Sequence, residues 1–590
     1  MEIRQENIAT LTFCADRLPV DFKDPGKCQL AGVFRQLLAF EGRERSFLMY
    51  IPQKAHYNRP CIIAACPDKA KPWEFLERSG LRTLADEEEL FICLPEPIEG
   101  VWDAGGRDAD FIGCVYQKIQ ERDYYVLMQD CIYAMGFGEG ATVMQQAAMK
   151  MTSEWSGMAT FGNLLPEVMI NEEISLNTSS VETDTGAAGG EFAVTGNKCQ
   201  LPVWIFYKEP DGITEKVCQY WIQQNKNQTD CVYGKQNTRI YLPPVLKARS
   251  RANDDSVSQT RVTEGYNAEE NPPNIKKVWR YLSSFRRHRG YEGKFLRHYR
   301  QPEKNGAVKR TMEIDGIHRE WYEYIPQRLA DSQEAIPLVV VLHGRGGDGE
   351  TFFDITDMSV VAEEREFAAV FPTADFYQMK EHGLKSVRLW NGNFEGKAID
   401  SLPFIRSMAE DVCSRLPIDR KKIYVCGQSS GGYMALCCAM AAPELFAAAV
   451  SWSGYCCFDG TMPIFTYRYD KYFQTGKIPI CLMFGAQDAL FGISSLHPFP
   501  ERKEPALTFI RFLIRQFGLE QEPMVYTCHP VTYYVWHTPE GFPALKVGIV
   551  ANMSHANYPE ESRIAYDEWF SWFSKGEDGK CLYMGRPFLR

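Results

Sequence analysis

Tyr50-Ile51-Pro52-Gln53 returns 274 residues further on as Tyr324-Ile325-Pro326-Gln327, and a longer pattern repeats around it in the same order. Pro60 opens the apolar run CIIAAC as Pro337 opens LVVVLH. Pro60 to Pro95 and Pro337 to Pro372 both span 35 residues, and each second proline closes another apolar run. Trp102-Asp103 then faces Trp390-Asn391, Gly136 to Gly140 (GFGEG) faces Gly427 to Gly431 (GQSSG), and Pro202 to Asp211 matches Pro479 to Asp488, nine residues apart in each case. Any one such coincidence is common, but six in one order are not. At 590 residues the chain exceeds what one core can organise. We therefore expect two tandem copies of one fold, residues 1–300 and 301–590. Strand-like runs alternate with helical ones in both, which predicts an α/β architecture with a mostly parallel, doubly wound sheet and right-handed crossovers in each copy.

The copies differ in length between the glycine-rich turn and the aspartate, 62 residues from Gly140 to Pro202 against 48 from Gly431 to Pro479. The excess is assigned to a surface loop in TSSVETDTGAAGGE, residues 178–191. Residues 249–275 are polar and strand-poor and read as a mobile loop. The basic, aromatic stretch 276–300 could be a patch for an acidic ligand. It reads better as the last helix of the first copy, with Val278, Trp279, Leu282 and Phe285 inward and its arginines in solvent.

A formal net charge of −11 argues against nucleic acid as a partner. No basic-then-apolar leader opens the chain, and no uncharged run is long enough to span a bilayer. The 19 cysteines are scattered, several in apolar runs, without metal-ligand spacing. They read as reduced and buried, so a cytoplasmic location is expected.

The chemistry concentrates in residues 421–450, KKIYVCGQSSGGYMALCCAMAAPELFAAAV. A short β-branched and aromatic run, a turn crowded by Gly427, Gly431 and Gly432, and an Ala/Leu/Met-rich helix follow one another. Gly427-Gln428-Ser429-Ser430-Gly431 fits G-x-S-x-G, the strained turn that lifts a nucleophilic serine off a strand tip. The plainer alternative is a Gly/Ser turn with Ser429 as helix N-cap. A serine hydroxyl needs a base and an acid that orients the base, in the chain order serine, acid, histidine. Asp488 closes a buried strand and a glycine turn, where the acid belongs. His555 lies in a loop after the strand-like LKVGIV, which favours it as base over His529 and His537. The backbone N–H groups of Ser430 and of Arg345, in the loop His343-Gly344-Arg345-Gly346-Gly347, are the expected oxyanion donors. That loop lacks the spacing of a phosphate-binding loop.

Taken together, HGRGG, Trp390-Asn391-Gly392, the helix leading into GQSSGG, the P-x-x-x-x-x-G-x-x-D run and the late Ser-His resemble the polyhydroxybutyrate depolymerase and feruloyl/acetyl-xylan esterase group of α/β-hydrolases, over residues 310 to 575. The resemblance implies an α/β-hydrolase domain there, and the internal repeat extends that expectation to two α/β-hydrolase-like domains. It implies Ser429, Asp488 and His555 as a catalytic triad, Ser430, Arg345 and Gly344 as an oxyanion hole, and His343, Trp390, Asn391 and Gln428 close to the substrate. It implies a serine esterase that needs no metal or organic cofactor and acts on a small-molecule or oligomeric ester, with no nucleic-acid or membrane partner. A peptidase or acyltransferase on the same triad, or an inert scaffold, are the rival readings. In the first copy Gly138 stands in place of Ser429 and Cys66 in place of His343. Asp211 is kept, and Asn267 is the nearest match to His555, so that copy is expected to be catalytically dead.

Overall fold

A computed structural model describes residues 8–10, 26–120, 125, 127–168, 178–182, 191–195, 199–244, 258–267, 274–290, 293–330, 332–377, 387–391, 400–458, 460, 465–469, 477–488, 490, 494–497, 503–520 and 522–588. Two large sheets organise these residues. The first holds a two-residue strand at Ala9–Thr10 and ten longer ones: β1 (Gly32–Phe40), β2 (Arg43–Ile51), β3 (Arg59–Ala65), β4 (Phe91–Pro95), β5 (Leu127–Phe137), β6 (Gly157–Phe161), β7 (Val203–Tyr207), β8 (Cys231–Tyr233), β9 (Thr238–Tyr241) and β10 (Thr260–Glu264). The second holds β11 (Val308–Ile314), β12 (Ile317–Tyr324), β13 (Ile336–Leu342), β14 (Ala368–Pro372), β15 (Ile418–Gln428), β16 (Ala448–Trp452), β17 (Ile480–Gly485), β18 (Met524–Cys528), β19 (Val531–His537) and β20 (Pro543–Val550).

The order across the first sheet, after the short strand, is β1-β2-β4-β3-β5-β6-β7-β10-β9-β8, and across the second β11-β12-β14-β13-β15-β16-β17-β20-β19-β18. Strand for strand the two are alike. In each, six parallel strands form the centre and antiparallel hairpins close the edges. Even the register shift in the third strand recurs, between Arg59 and Cys61 and between Ile336 and Leu338. The central strands are apolar throughout because helices cover both faces: Val339, Val340, Val341 and Leu342 are all at 0% exposure. Five helices matter below: α1 (Glu139–Lys150), α2 (Gly212–Gln224), α3 (Ile275–Leu282), α4 (Ser430–Ala441) and α5 (Glu561–Asp567).

Three local expectations are corrected. The stretch read as one long basic helix is helical only through α3, where Val278, Trp279 and Leu282 are buried as expected. Ser283 then caps the helix, the Ser284 hydroxyl bonds the Tyr281 carbonyl, and the chain turns back as an antiparallel hairpin, Phe285–Gly290 with Gly293–His298. Its arginines are not all solvated. Arg287 is buried and donates to the Trp155 and Thr152 carbonyls, and Arg297 is paired inside with Asp354 of the second unit. A guanidinium can be buried this way because its fork of N–H donors finds carbonyl and carboxylate acceptors. The end of the second unit has the same form, α5 followed by the hairpin Phe573–Lys575 with Cys581–Tyr583. The segment assigned to a surface loop carries an antiparallel pair, Thr178–Glu182 with Glu191–Thr195, its centre, residues 183–190, lying outside the described residues. The 249–275 stretch read as a mobile loop contains β10, Thr260–Glu264, paired along β7 inside the sheet, with 249–257 and 268–273 outside the described residues.

Candidate active site

The geometry is set by β15, which runs out of the sheet into α4 with one residue, Ser429, between them. Ser429 sits at φ 54° and ψ −116°, a left-handed conformation that a side chain adopts only under tertiary constraint. Its N–H is held by the Trp452 carbonyl at 2.8 Å. The helix can pass this close to the sheet only because of the flanking glycines. A Cβ at Gly431 would lie 2.2 Å from the Leu342 oxygen, and one at Gly427 2.5 Å from the Gly431 backbone. Ser430 begins α4, so its N–H is among the four that a helix leaves without an internal acceptor.

At the same end of the parallel strands, β17 closes in the turn 485–488. Asp488 is 1% exposed; its Oδ1 accepts from the Leu490 N–H at 2.9 Å, and its Oδ2 meets His555 Nδ1 at 2.9 Å. With the carboxylate on Nδ1, the imidazole keeps its proton there and leaves Nε2 as the nitrogen with the lone pair. The histidine loop after β20 is pinned by the Ala486 N–H on Val550 and the Gln487 N–H on Met553. Gly485 is required here: a Cβ would stand 2.1 Å from the Met553 oxygen and 2.4 Å from that of Ser554. This is the glycine of the P-x-x-x-x-x-G-x-x-D run; the next support was not singled out in the sequence. Glu561, buried at the start of α5, accepts from the side chain of Asn557 and from the Tyr558 N–H at 3.0 Å, tying down the far side of the loop. Burial raises its carboxyl to about 8. The sequence signal, a glutamate two positions past a proline at a helix start, looks like any dipole-favoured carboxylate.

The residues expected beside the substrate mostly lie beneath the site. His343 is fully buried; its Nε2 accepts from the Ala374 N–H at 2.9 Å, so the proton is on Nδ1 and bonds the Gly344 carbonyl at 2.7 Å. Burial lowers its pKa to about 4, keeping it neutral. Trp390 is also fully buried and donates Nε1 to the His343 carbonyl at 2.8 Å, and Asn391 is 3% exposed with its backbone bonded both ways to Ser401. His343 and Trp390 thus shape the glycine loop from within the fold rather than lining an open surface, because each polar group in a buried loop must find a partner. Gln428 lies against Gly344, with its Oε1 2.3 Å from where a Cβ would be. Gly344 and Arg345 form the loop after β13, bounded by the Gly347 N–H on the Gly344 carbonyl at 3.1 Å.

The first unit has the same elbow without its chemistry. Gly138 holds φ 55° and ψ −128°, its N–H bonds Phe161 at 2.8 Å, and the Trp102 indole bonds the Cys66 carbonyl as Trp390 bonds His343. Sheet register sets Pro67 opposite Gly344, and a Cβ at 138 would lie 3.1 Å from the Pro67 Cβ. Glu139 takes the Asp68 N–H at 3.1 Å, the donor equivalent to that of Arg345. Asp211 is spent capping α2, accepting from the Ile213 and Thr214 N–H groups. The register also corrects the histidine match. Asn267 aligns with Asn552, and the position facing His555 falls within 268–273, outside the described residues.

Among the described residues no helix is long and apolar enough to cross a membrane, and no cluster of metal-ligating side chains is found. A central parallel sheet, a positive-φ serine between strand and helix, and an aspartate–histidine pair at the same rim define the α/β-hydrolase class. Residues 321–465 match the family described as Esterase PHB depolymerase. Over 143 residues the chain is 31% identical to a feruloyl esterase B of Talaromyces funiculosus, covering 24% of this chain and 38% of that one. It is 28% identical over 146 residues to a feruloyl esterase B of Neurospora crassa (24% and 46%), and 28% identical over 134 residues to an acetylxylan esterase A of Aspergillus ficuum (22% and 41%). The chain spans less than half the length of these relatives.

Proposed function

We propose that the second unit is a serine carboxylic ester hydrolase. Ser429 attacks the ester carbonyl and His555 Nε2 takes the hydroxyl proton. The N–H groups of Ser430 and Arg345 receive the oxyanion, and the imidazolium, steadied by Asp488, protonates the departing alcohol. Water activated by the same histidine then releases the acid from the acyl-enzyme. The observation that carries this reading is the pairing of a strained serine at the tip of β15 with a buried Asp488–His555 hydrogen bond at the same end of the sheet. Feruloyl, acetyl-sugar and hydroxyalkanoate esters are the proposed substrate class, from the names of the relatives. The first unit is read as an inert copy arising by internal duplication, supported by the shared strand order.

The test is a panel of acetyl, butyryl, feruloyl and hydroxybutyryl esters with wild type and Ser429→Ala, alongside a fluorophosphonate probe. The variant is expected to fold normally and lose at least about 1,000-fold in turnover, since triad members act as a unit. Wild-type protein that takes no label at Ser429 and hydrolyses none of the panel would end this reading.

A further inference from the structure

The first unit reaches the glycine loop of the second. Its segments at residues 26–28 and 55–58 are joined by the Cys28 N–H on Ala55 and the Tyr57 N–H on Gly26, both 2.8 Å. Gly26 lies flat against Phe376 of the second unit, where a Cβ would be 2.6 Å from the ring. Phe376 pairs with Arg388 and carries its guanidinium 4.6 Å above the ring, and the Arg388 carbonyl accepts the Gly346 N–H at 2.8 Å. From the other side Asn58 Nδ2 donates to the Gly346 carbonyl. Gly346, in a left-handed turn at φ +77°, is therefore held at its N–H by its own unit and at its oxygen by the first. It directly follows Arg345.

An oxyanion donor has to be held to within about half an ångström of its working place, and a loop donor depends on its supports for that. We propose that Asn58 is a positioning residue for the 344–347 loop, so that the chemically inert first unit acts on catalysis in the second through this contact. The inference rests on the esterase reading above. Asparagine suits this position, because Asn58 stands at φ 65°, which asparagine tolerates better than most residues, and its short amide can still reach outward.

Two substitutions in the full chain remove the donor while leaving the left-handed backbone unstrained. Asn58→Gly deletes the side chain, and the isosteric Asn58→Asp replaces the N–H donor with an oxygen facing the Gly346 carbonyl. Both are expected to lower kcat on p-nitrophenyl acetate about tenfold, below the loss of a whole oxyanion donor. KM should stay within about twofold, the melting temperature should hold, and backbone amide exchange over residues 338–350 should speed up, a KM-against-kcat split expected of a positioning role. Wild type that turns over through Ser429 while both variants keep kcat within about twofold would overturn this inference alone, as would unchanged exchange in that loop. Wild type with no Ser429-dependent turnover would instead overturn the esterase reading beneath it.

Discussion

Ser429 carries backbone strain on the order of 1–3 kcal/mol, which persists because Gly427, Gly431 and the Trp452 carbonyl leave the chain no other path. Gly431→Ala would drive a methyl to 2.2 Å from the Leu342 oxygen. It should cost at least about 1–3 kcal/mol, read as a lowered melting temperature; an unchanged one would mean the helix approaches the sheet less closely than described. Asp488→Asn keeps an acceptor for the Leu490 N–H but no longer selects the imidazole tautomer. Turnover should fall about 1,000-fold or more with the fold intact, measurable as kcat beside a thermal melt. At this scale the motif residues were legible in sequence because strand-tip chemistry uses a small vocabulary at recognisable spacing. Gly485 was legible too, as the glycine of the acid-loop spacing, but Glu561 was not, since only its burial against the histidine loop gives it meaning.

At the scale of elements, the loop bearing His555 is anchored at one end by the turn after β17 and at the other by the first turn of α5. The second anchor has a pH signature. Folded Glu561 keeps its proton up to about pH 8, whereas an unfolded glutamate releases it near 4.5. Between those values the native state binds the extra proton, so stability contributed by this group is lost as pH rises through that window. Glu561→Gln removes the titration. Its melting temperature should therefore gain on wild type as pH goes from 5 to 8; a constant difference would show that the carboxyl is not held protonated. His343 acts in the opposite sense: its depressed pKa favours the native state above about pH 6.5 and costs stability as pH falls toward 4. Strand positions were read from apolar runs without difficulty. The α3 region was misread past Ser283 because Phe285 happens to continue a helical spacing, while the carbonyls that draw Arg287 inward belong to residues more than 80 positions away.

On the scale of the whole molecule, two sheets of one strand order share the chain, and the first meets the second at its glycine loop. The first elbow is closed by more than a missing hydroxyl. Pro67 stands over Gly138, Glu139 occupies the Asp68 N–H, and Asp211 caps a helix. Adding Gly138→Ser to Ser429→Ala should accordingly leave p-nitrophenyl acetate hydrolysis at the level of Ser429→Ala alone. Any recovery assigned to the first unit by probe labelling would contradict its inert reading.

By itself the sequence determined the alternation of strands and helices and marked Ser429, Asp488 and His555 as candidates, because local propensity and short-range spacing encode these. Only the tertiary structure decided that His343 and Trp390 support the loop from below, that Glu561 is buried, that Arg287 and Arg297 turn inward, and that Asn58 touches Gly346 from 288 positions away. Each of those depends on which backbone carbonyl or carboxylate lies opposite a side chain after the sheets have formed, and separation along the chain carries no record of it.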